Sequence, residues 1–440
     1  MKLRIHRGTD QIGGSCVEVE ARDGSRIIID AGMPLAKPDG SDWPQGIMKL
    51  SCTELRAEGI LPPVKGLFND DVPSVRAVIL SHAHMDHYGL IHTINPNIPI
   101  FGSSGTGKLL EISNLFLPNA PPPVKFHPIF ETEEFRVSPF TIQLLPVDHS
   151  APHAMAVLIR CDDQVIVYSG DLRGHGRKPV LFENLAKAGN NANALILEGT
   201  TIGQEKHEHG YTSEQAVEEA LVRVLSENAS FVTVVSSGQN LDRTITAYNA
   251  ACSAGREMVI DAYQAYILHE LKDCFPEAPQ FDSPGVRVKF TRSQVESLSC
   301  VGKIDFVYRL AQASKVTRDQ IAENPGRFIY LARGNDATAR LLHSLERVSN
   351  TLIIWSLWRG YFLKRNAIAS YCSRTGTQPL FIHSGGHANP DDLRRLVCRM
   401  SPKFVVPIHT QHPDEYTALF HMTRRLEDNE CLDLDNFQAI

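Results

Sequence analysis

No cysteine in this chain stands in a C-x-x-C pair, and the nine cysteines are scattered and odd in number. That spacing excludes a thiolate zinc knuckle and argues against a disulfide framework, so the reducing cytoplasm is the expected compartment. No apolar run approaches the roughly 20 residues that span a bilayer, so no transmembrane helix is expected. The opening residues Met1-Lys2-Leu3-Arg4-Ile5-His6 lack the apolar core and cleavage site of a signal peptide, and no secretion signal is expected. Low-complexity tracts and tandem repeats are missing too, which sets aside linker-like and solenoid architectures. A surplus of positive charge is also lacking: 44 Lys and Arg stand against 50 Asp and Glu, a net charge of −6, which does not advertise a nucleic-acid binder.

What is present is an ordinary globular composition, 42% hydrophobic and 21% charged over 440 residues. That length exceeds one small core and implies two or three domains, or one domain with a large insertion. From residue 1 to about 205, short apolar runs end in Gly, Asp or His: Arg26–Asp30, Arg76–Ser81, Val165–Asp171 and Ala194–Glu198. These read as buried strands whose ends carry polar residues to one edge of a sheet. From about 210 the pattern becomes strand then helix. A Thr-x-x-Gln capping box at Thr212–Gln215 precedes a helix to about Leu225, and Asn240–Ala251 reads as a helix. Strands are expected at Phe231–Ser236, Glu257–Asp261, Phe328–Ala332 and Thr351–Leu357, a parallel α/β layer. From about 378 the first style returns, with Leu380–His383 and Phe404–His409 read as strands ending at histidine. The expected organisation is one sandwich domain (1–207 and 374–440) interrupted by an α/β insertion (208–373).

The strongest signal is His82-Ala83-His84-Met85-Asp86-His87, an H-x-H-x-D-H motif directly after a strand and before a probable helix. Imidazole and carboxylate donors suit zinc. His82 and His84, two apart on extended backbone, project to one side and can hold one ion. Asp86 and His87, at the turn into the helix, can hold a second. His149 and His409, after apolar runs, and the carboxylate of Asp171 would complete two sites with positions left for water.

The ordered set Asp30, His82-x-His84-x-Asp86-His87, His149, Asp171 and His409 resembles the metallo-β-lactamase superfamily. Within it the motifs Leu197-Glu198-Gly199-Thr200, His383-Ser384-Gly385-Gly386-His387-Ala388 and Pro407-Ile408-His409 resemble the β-CASP nucleases, the group of RNase J and the cleavage-and-polyadenylation endonuclease. Ser237–Arg243 and Gly255–Glu257 resemble the inserted β-CASP domain. The resemblance implies an αββα sandwich with an inserted α/β β-CASP domain. It implies two divalent ions, zinc with manganese as the other choice. His82, His84 and His149 would bind one ion and Asp86, His87 and His409 the other, with Asp171 bridging. Asp30 and Glu198 would orient metal-bound histidines. His387 would donate a proton or hydrogen bond at the scissile phosphate, with Asp86 and Glu198 also in the catalytic set. Ser384, Gly385, Gly386, His387 and Arg243 would contact substrate. The implied activity is hydrolysis of single-stranded RNA, endonucleolytic or 5′-exonucleolytic, by a dinuclear metal-activated hydroxide. A superfamily hydrolase of a thioester, lactone or DNA, and a metal-free binding subunit, are the competing classes. The Glu-Gly-Thr-Thr at 198–201 departs from the Asp-Ser-Thr usual in RNase J, and the C-terminal domain of RNase J is not expected after His409. Oligomeric state, a homodimer included, is therefore left open.

Other signals carry less. Gly102–Leu109 mimics a P-loop but has Leu109 where the Mg²⁺-binding hydroxyl belongs. His153, His175, His207 and His209 read as polar loop residues. The locally basic stretch 284–320 is read equally as an RNA channel or a solvated face. Arg359, Lys364 and Arg365 beside Trp358 and Tyr361 offer charge and stacking, or simply an amphipathic helix.

Overall fold

Strands such as Ala77–Ile79 and Ala194–Glu198 are buried along their whole length, because both of their faces are covered. The computed structural model describes residues 1–44, 46–116, 124–204, 210–364 and 366–436, and the backbone of 438–439. The chain forms two compact units.

The first unit comprises Met1–Gly174, Lys178–Gln204 and Gly386–Ile440. Its first sheet runs in the order Gln438–Ala439, Cys431–Asp433, Lys2–Arg7, Cys16–Glu20, Arg26–Ile29, Ala77–Ile79, Ile100–Ser103, Phe126–Ile129. The second runs Phe404–Ile408, Ala194–Glu198, Gln164–Tyr168, Met155–Cys161, Phe140–Pro146, Glu134–Val137. Alternate side chains from both sheets meet in one core: Leu3, Val17, Ile27 and Ile79 lie with Ile142, Val157, Ile166, Ile196 and Val406. The opposite face of the second sheet packs against helices Pro179–Ala188 and Pro390–Met400 through Phe182, Leu185, Leu393, Leu396 and Met400. Helix Ser104–Phe116 lies against strands Ile100–Ser103 and Phe126–Ile129 of the first sheet. These layers are the expected αββα sandwich.

Strand direction places the site. Arg26–Ile29 and Ala77–Ile79 are parallel, as are Gln164–Tyr168, Ala194–Glu198 and Phe404–Ile408. Phe140–Pro146 is antiparallel to Met155–Cys161, itself antiparallel to Gln164–Tyr168, so it runs with the others. Asp30, the 81–87 segment, His149, Asp171, Glu198 and His409 therefore leave, or lie at, carboxyl ends of strands that are co-directional within each sheet.

The second unit comprises His175–Arg177 and Glu205–Gly385. Its sheet is parallel throughout, in the order Val286–Lys289, Glu257–Asp261, Phe328–Ala332, Phe231–Val235, Thr351–Trp355, Leu380–Phe381. The expected strands are present, with Phe231–Ser236 and Thr351–Leu357 ending slightly earlier, at Val235 and Trp355. The helix read as Asn240–Ala251 is Leu241–Ser253, capped by Asn240. The cap expected at Thr212 belongs instead to Ser213, whose side chain accepts from the Ala216 amide at 3.1 Å. That register turns Glu214, buried, toward Arg243. Leu380–Phe381 does not belong to the sandwich: it pairs with Ile354–Trp355 and forms an edge of the second unit's sheet. The unit boundary accordingly follows Gly385 rather than residue 373.

The P-loop mimic is a strand running straight into a helix. Its glycines make room for a ring: a Cβ on Gly107 would lie 2.7 Å, and on Gly102 2.9 Å, from Phe126 carbons. Stretch 284–320 is a strand and three helices, Arg292–Cys300, Ile304–Ser314 and Arg318–Glu323. Three of its cations are ion-paired: Arg287 with Glu257, Arg292 with Glu296, Arg318 with Asp319. Among the described residues, no helix is long and apolar enough to cross a membrane.

Candidate metal centre

His84 is extended (φ −97°, ψ 144°) and begins the single turn Met85–Tyr88, which presents Asp86 and His87. The loop is seated on two glycines. A Cβ on Gly32 would lie 1.8 Å from the Asp86 carbonyl oxygen, and one on Gly13 would lie 2.9 Å from the Asp86 Cβ. Only glycine admits backbone this close, and Gly13 also has φ +84°.

Two groups of ligand atoms result. His82, His84, His149 and Asp171 form one, and Asp86, His87 and His409 the other; within each, all ligand atoms lie within 4.8 Å of one another. Asp171 stands between them. Its Oδ2 is 3.2 Å from His87 Nε2, 3.6 Å from His82 Nε2 and 3.8 Å from His149 Nε2, and its Oδ1 is 3.9 Å from His409 Nδ1. His409 Nε2 is 3.2 Å from Asp86 Oδ2. A further grouping of Asp171, His387 and His409 puts His387 at the margin of the same centre.

Most of these rings are held by one nitrogen and offer the other. His87 Nδ1 donates to Asp30 Oδ2 at 2.8 Å. His82 Nδ1 bonds the Ser81 hydroxyl at 3.0 Å, which donates to the same Asp30 oxygen at 2.7 Å. His149 Nδ1 donates to the Gly386 carbonyl at 2.6 Å, and Thr200 Oγ1 bonds His409 Nδ1 at 2.8 Å. The Nε2 atoms of His82 and His87 and Oδ1 of Asp171 are buried with no hydrogen-bond partner among the described residues. Buried lone pairs of this kind are costly unless something binds them, and this donor set suits zinc or another borderline divalent cation. The residues present thus fit a pair of divalent ions.

Electrostatics prepare the same state. Burial pushes His82 and His149 well below the usual imidazole range, with the neighbouring His87 and His84 respectively adding to it. Burial also lowers His84. Burial opposes the charge on Asp86 and Asp171, yet the surrounding imidazoles hold both carboxyls below their ordinary range. His87 is the exception. Burial opposes its proton, but Asp171, Asp86 and Asp30 together raise it well above the usual range. This excess of carboxylate is what a cation would neutralise.

Glu198 holds His387. Its Oε1 is 3.2 Å from His387 Nδ1, and its Oε2 accepts from the Thr200 amide at 3.0 Å. Burial opposes the His387 proton, but Glu198 and then Asp171 push its pKa up to about 9. The His387 side chain is 24% exposed, against 1% for Glu198. Sequence reasoning passed over Ser81, Tyr168 and Thr200. Tyr168 donates its hydroxyl to Asp30 Oδ2 at 2.9 Å. A hydroxyl at a strand end was the only available signal.

The expected substrate contacts fall differently. Arg243 is fully buried: its guanidinium pairs with Glu214 at 2.8 Å and also reaches the Ser356 and Ser384 carbonyls. These bonds anchor the second unit from within. Ser384 is buried, and the Gly385 and Gly386 carbonyls bond His175 and His149. His153 is also structural: its Nδ1 accepts from the Gly105 amide, and its other nitrogen pairs with Glu131. His207, His209 and Arg365 lie outside the described residues.

Residues 26–230 match the family described as Beta-lactamase superfamily domain. The chain carries a beta-lactamase superfamily domain. The motif resemblance agrees with the chain's relatives, several of which are Ribonuclease J proteins. That of Sinorhizobium meliloti is 23% identical over 76% of this chain, that of Pyrococcus abyssi 23% over 97%, and that of Helicobacter pylori strain B128 24% over 94%. The chain spans 58%, 93% and 56% of those relatives respectively. Among solved structures, the crystal structure of a protein of unknown function from Enterococcus faecalis V583 matches with a TM-score of 0.76 and 21% identity, over 98% of this chain and 99% of that one, a likeness of fold.

Proposed function

We propose that the chain is a metal-dependent ribonuclease that hydrolyses phosphodiester bonds of single-stranded RNA. One observation carries this reading: Asp171 belongs to one cluster of metal-ligand side chains and lies 3.2 Å from His87 and 3.9 Å from His409 of a second, with His387 at their margin. The Ribonuclease J relatives supply the substrate class. His82, His84 and His149 would hold one divalent ion, Asp86, His87 and His409 the other, and Asp171 both. When bound, the pair supplies the Lewis acidity and positive charge that phosphodiester hydrolysis requires. Asp30 fixes His87 directly and His82 through Ser81. Glu198 fixes His387 through Nδ1 and keeps it charged, so the second ring nitrogen can give a proton to the departing oxygen.

The test is RNA labelled at either end, bearing 5′-triphosphate, monophosphate or hydroxyl, incubated with metal-replete protein and with chelator. Chelator-sensitive cleavage is expected, and product lengths report endonucleolytic or 5′-exonucleolytic action. Intact RNA beside turnover of a thioester, a lactone or DNA would replace this substrate class. Fewer than one bound metal per chain would replace it with a binding subunit.

A further inference from the structure

The longest charge asymmetry in the chain falls mostly in the second unit, which ends at Gly385. From Arg347 to Pro390 there is no Asp or Glu, while Arg347, Arg359, Lys364, Arg365 and Arg374 all fall within it. In stretch 284–320, by contrast, Arg292 and Arg318 pair with Glu296 and Asp319 of the same stretch; within 347–390, Arg374 pairs with Glu346 just before it, and Arg359 lies over the Phe381 ring.

The same stretch exposes large rings. Trp355 is buried at the end of strand Thr351–Trp355, and the chain then turns into the one-turn helix Arg359–Leu363. Trp358 and Tyr361 are each 49% exposed, Leu363 77% and Phe381 36%. Trp358 and Tyr361 meet edge to face with centroids 5.4 Å apart. The platform is tied down from beneath: Trp355 packs on Phe362 at 5.1 Å, and Phe362 on Phe381 at 5.5 Å. The Trp355 indole donates to the Trp358 carbonyl at 3.2 Å, and the Arg359 guanidinium lies 4.8 Å from the Phe381 ring centre. A Cβ on Gly360 would lie 2.1 Å from the Trp358 ring, so the benzo part of the indole packs against a residue that must be small there. Rigid rings held on a base, with cations alongside and no carboxylate in the segment, suit a polyanion that brings its own flat faces.

We infer that Trp358, Tyr361 and the flanking Arg359 and Lys364 form a base-stacking surface that binds single-stranded RNA outside the metal centre. The inference rests on the ribonuclease reading for its ligand and adds a surface that reading does not require. A protein docked on the same rings is the competing occupant. Aromatic and arginine anchors serve protein interfaces too, but such interfaces have no need of a segment stripped of carboxylates.

The experiment is fluorescence anisotropy of a labelled, unstructured 12-nucleotide RNA with the full chain in EDTA, where cleavage is stopped. Trp358→Ala and Tyr361→Ala are each expected to weaken binding about 10-fold, the scale of one lost base stack. Trp358→Phe should recover most of the loss. Tyr308→Ala, a ring still more exposed (62%) and lying in stretch 284–320, should bind like wild type. Near-ultraviolet circular dichroism checks that each variant is folded. In wild type, RNA should quench tryptophan fluorescence, with Trp358→Phe removing that quenching. Wild-type affinity and undiminished quenching in these variants, in a protein that still cleaves RNA, overturn the surface and spare the ribonuclease reading. A wild-type chain that neither binds nor cleaves RNA overturns both. Unchanged RNA binding with self-association lost in Trp358→Ala assigns the rings to a second copy of the chain and overturns the proposal.

Discussion

Asp30 accepts the Nδ1 proton of His87 at 2.8 Å, and both side chains are fully buried. The same carboxylate oxygen also takes hydrogen bonds from Ser81 and Tyr168. One acid thus orients both His87 and, through Ser81, His82. Replacing Asp30 by Asn removes the charge and leaves the volume. Metal affinity is expected to fall about 10- to 100-fold, the usual cost of losing such a partner. Tyr168→Phe should cost less. Metal titration followed by elemental analysis checks both.

His84→Ala and Asp86→Ala should each abolish RNA cleavage while far-ultraviolet circular dichroism and melting remain near wild type. Neither side chain builds a core: both serve the ligand groups. Retention of the wild-type rate in either variant, at saturating metal, would falsify the proposed centre.

His387→Ala should lower kcat by about 100-fold or more and leave RNA affinity within a few-fold, since general acid–base groups contribute on that scale. Glu198→Gln should move kcat the same way by a smaller factor, because His387 then loses the carboxylate that holds Nδ1. A change confined to RNA affinity in both variants removes the proton-donor role.

Gly32→Ala is a small change with a large expected effect. The added methyl would overlap the Asp86 carbonyl and crowd the Ser15 amide, so backbone on one side or the other, the 84–87 turn included, has to move. Bound metal should drop below wild type by more than half, whereas Gly40→Ala, where a Cβ meets nothing within 4 Å, should leave it unchanged. The metal-to-protein ratio after desalting decides.

Glu257 predicts a pH dependence in the second unit. Arg287 and Arg327 both donate to its carboxylate, which sits near pH 2 rather than 4.5 chiefly through the Arg287 hydrogen bond. A depressed carboxyl stabilises the fold above its unfolded pKa and loses that contribution as pH falls toward 2. The cluster is substantially exposed, so its worth is at most about 1 kcal/mol. Urea unfolding should show wild type above Glu257→Gln at pH 7 and the difference shrinking from pH 4.5 downward.

The chemistry of the centre was legible where it is local. Four ligands fall within the six residues His82–His87, and extended backbone followed by one helical turn is enough to sort them into two pairs. The distant ligands were legible because each follows an apolar strand, and co-directional strands end at one edge. Partners supplied by backbone were not. Nothing in residue identity marks the Gly386 carbonyl as the support of His149, or Gly32 as the seat of Asp86. Arg243 misled because a cation in a polar loop motif looks available to phosphate; only burial beside Glu214 reveals it as an internal anchor. Leu380–Phe381 misled because a two-residue strand has too few positions to tell which sheet it joins.

Asp171 has consequences for how the centre fills and empties. If Asp171 holds an ion in each cluster, as proposed, the two are thermodynamically linked: an ion on one side would settle the orientation of a ligand needed by the other. Stripping with a chelator should then remove the pair in one steep transition, and Asp171→Asn should split that transition into two shallow ones.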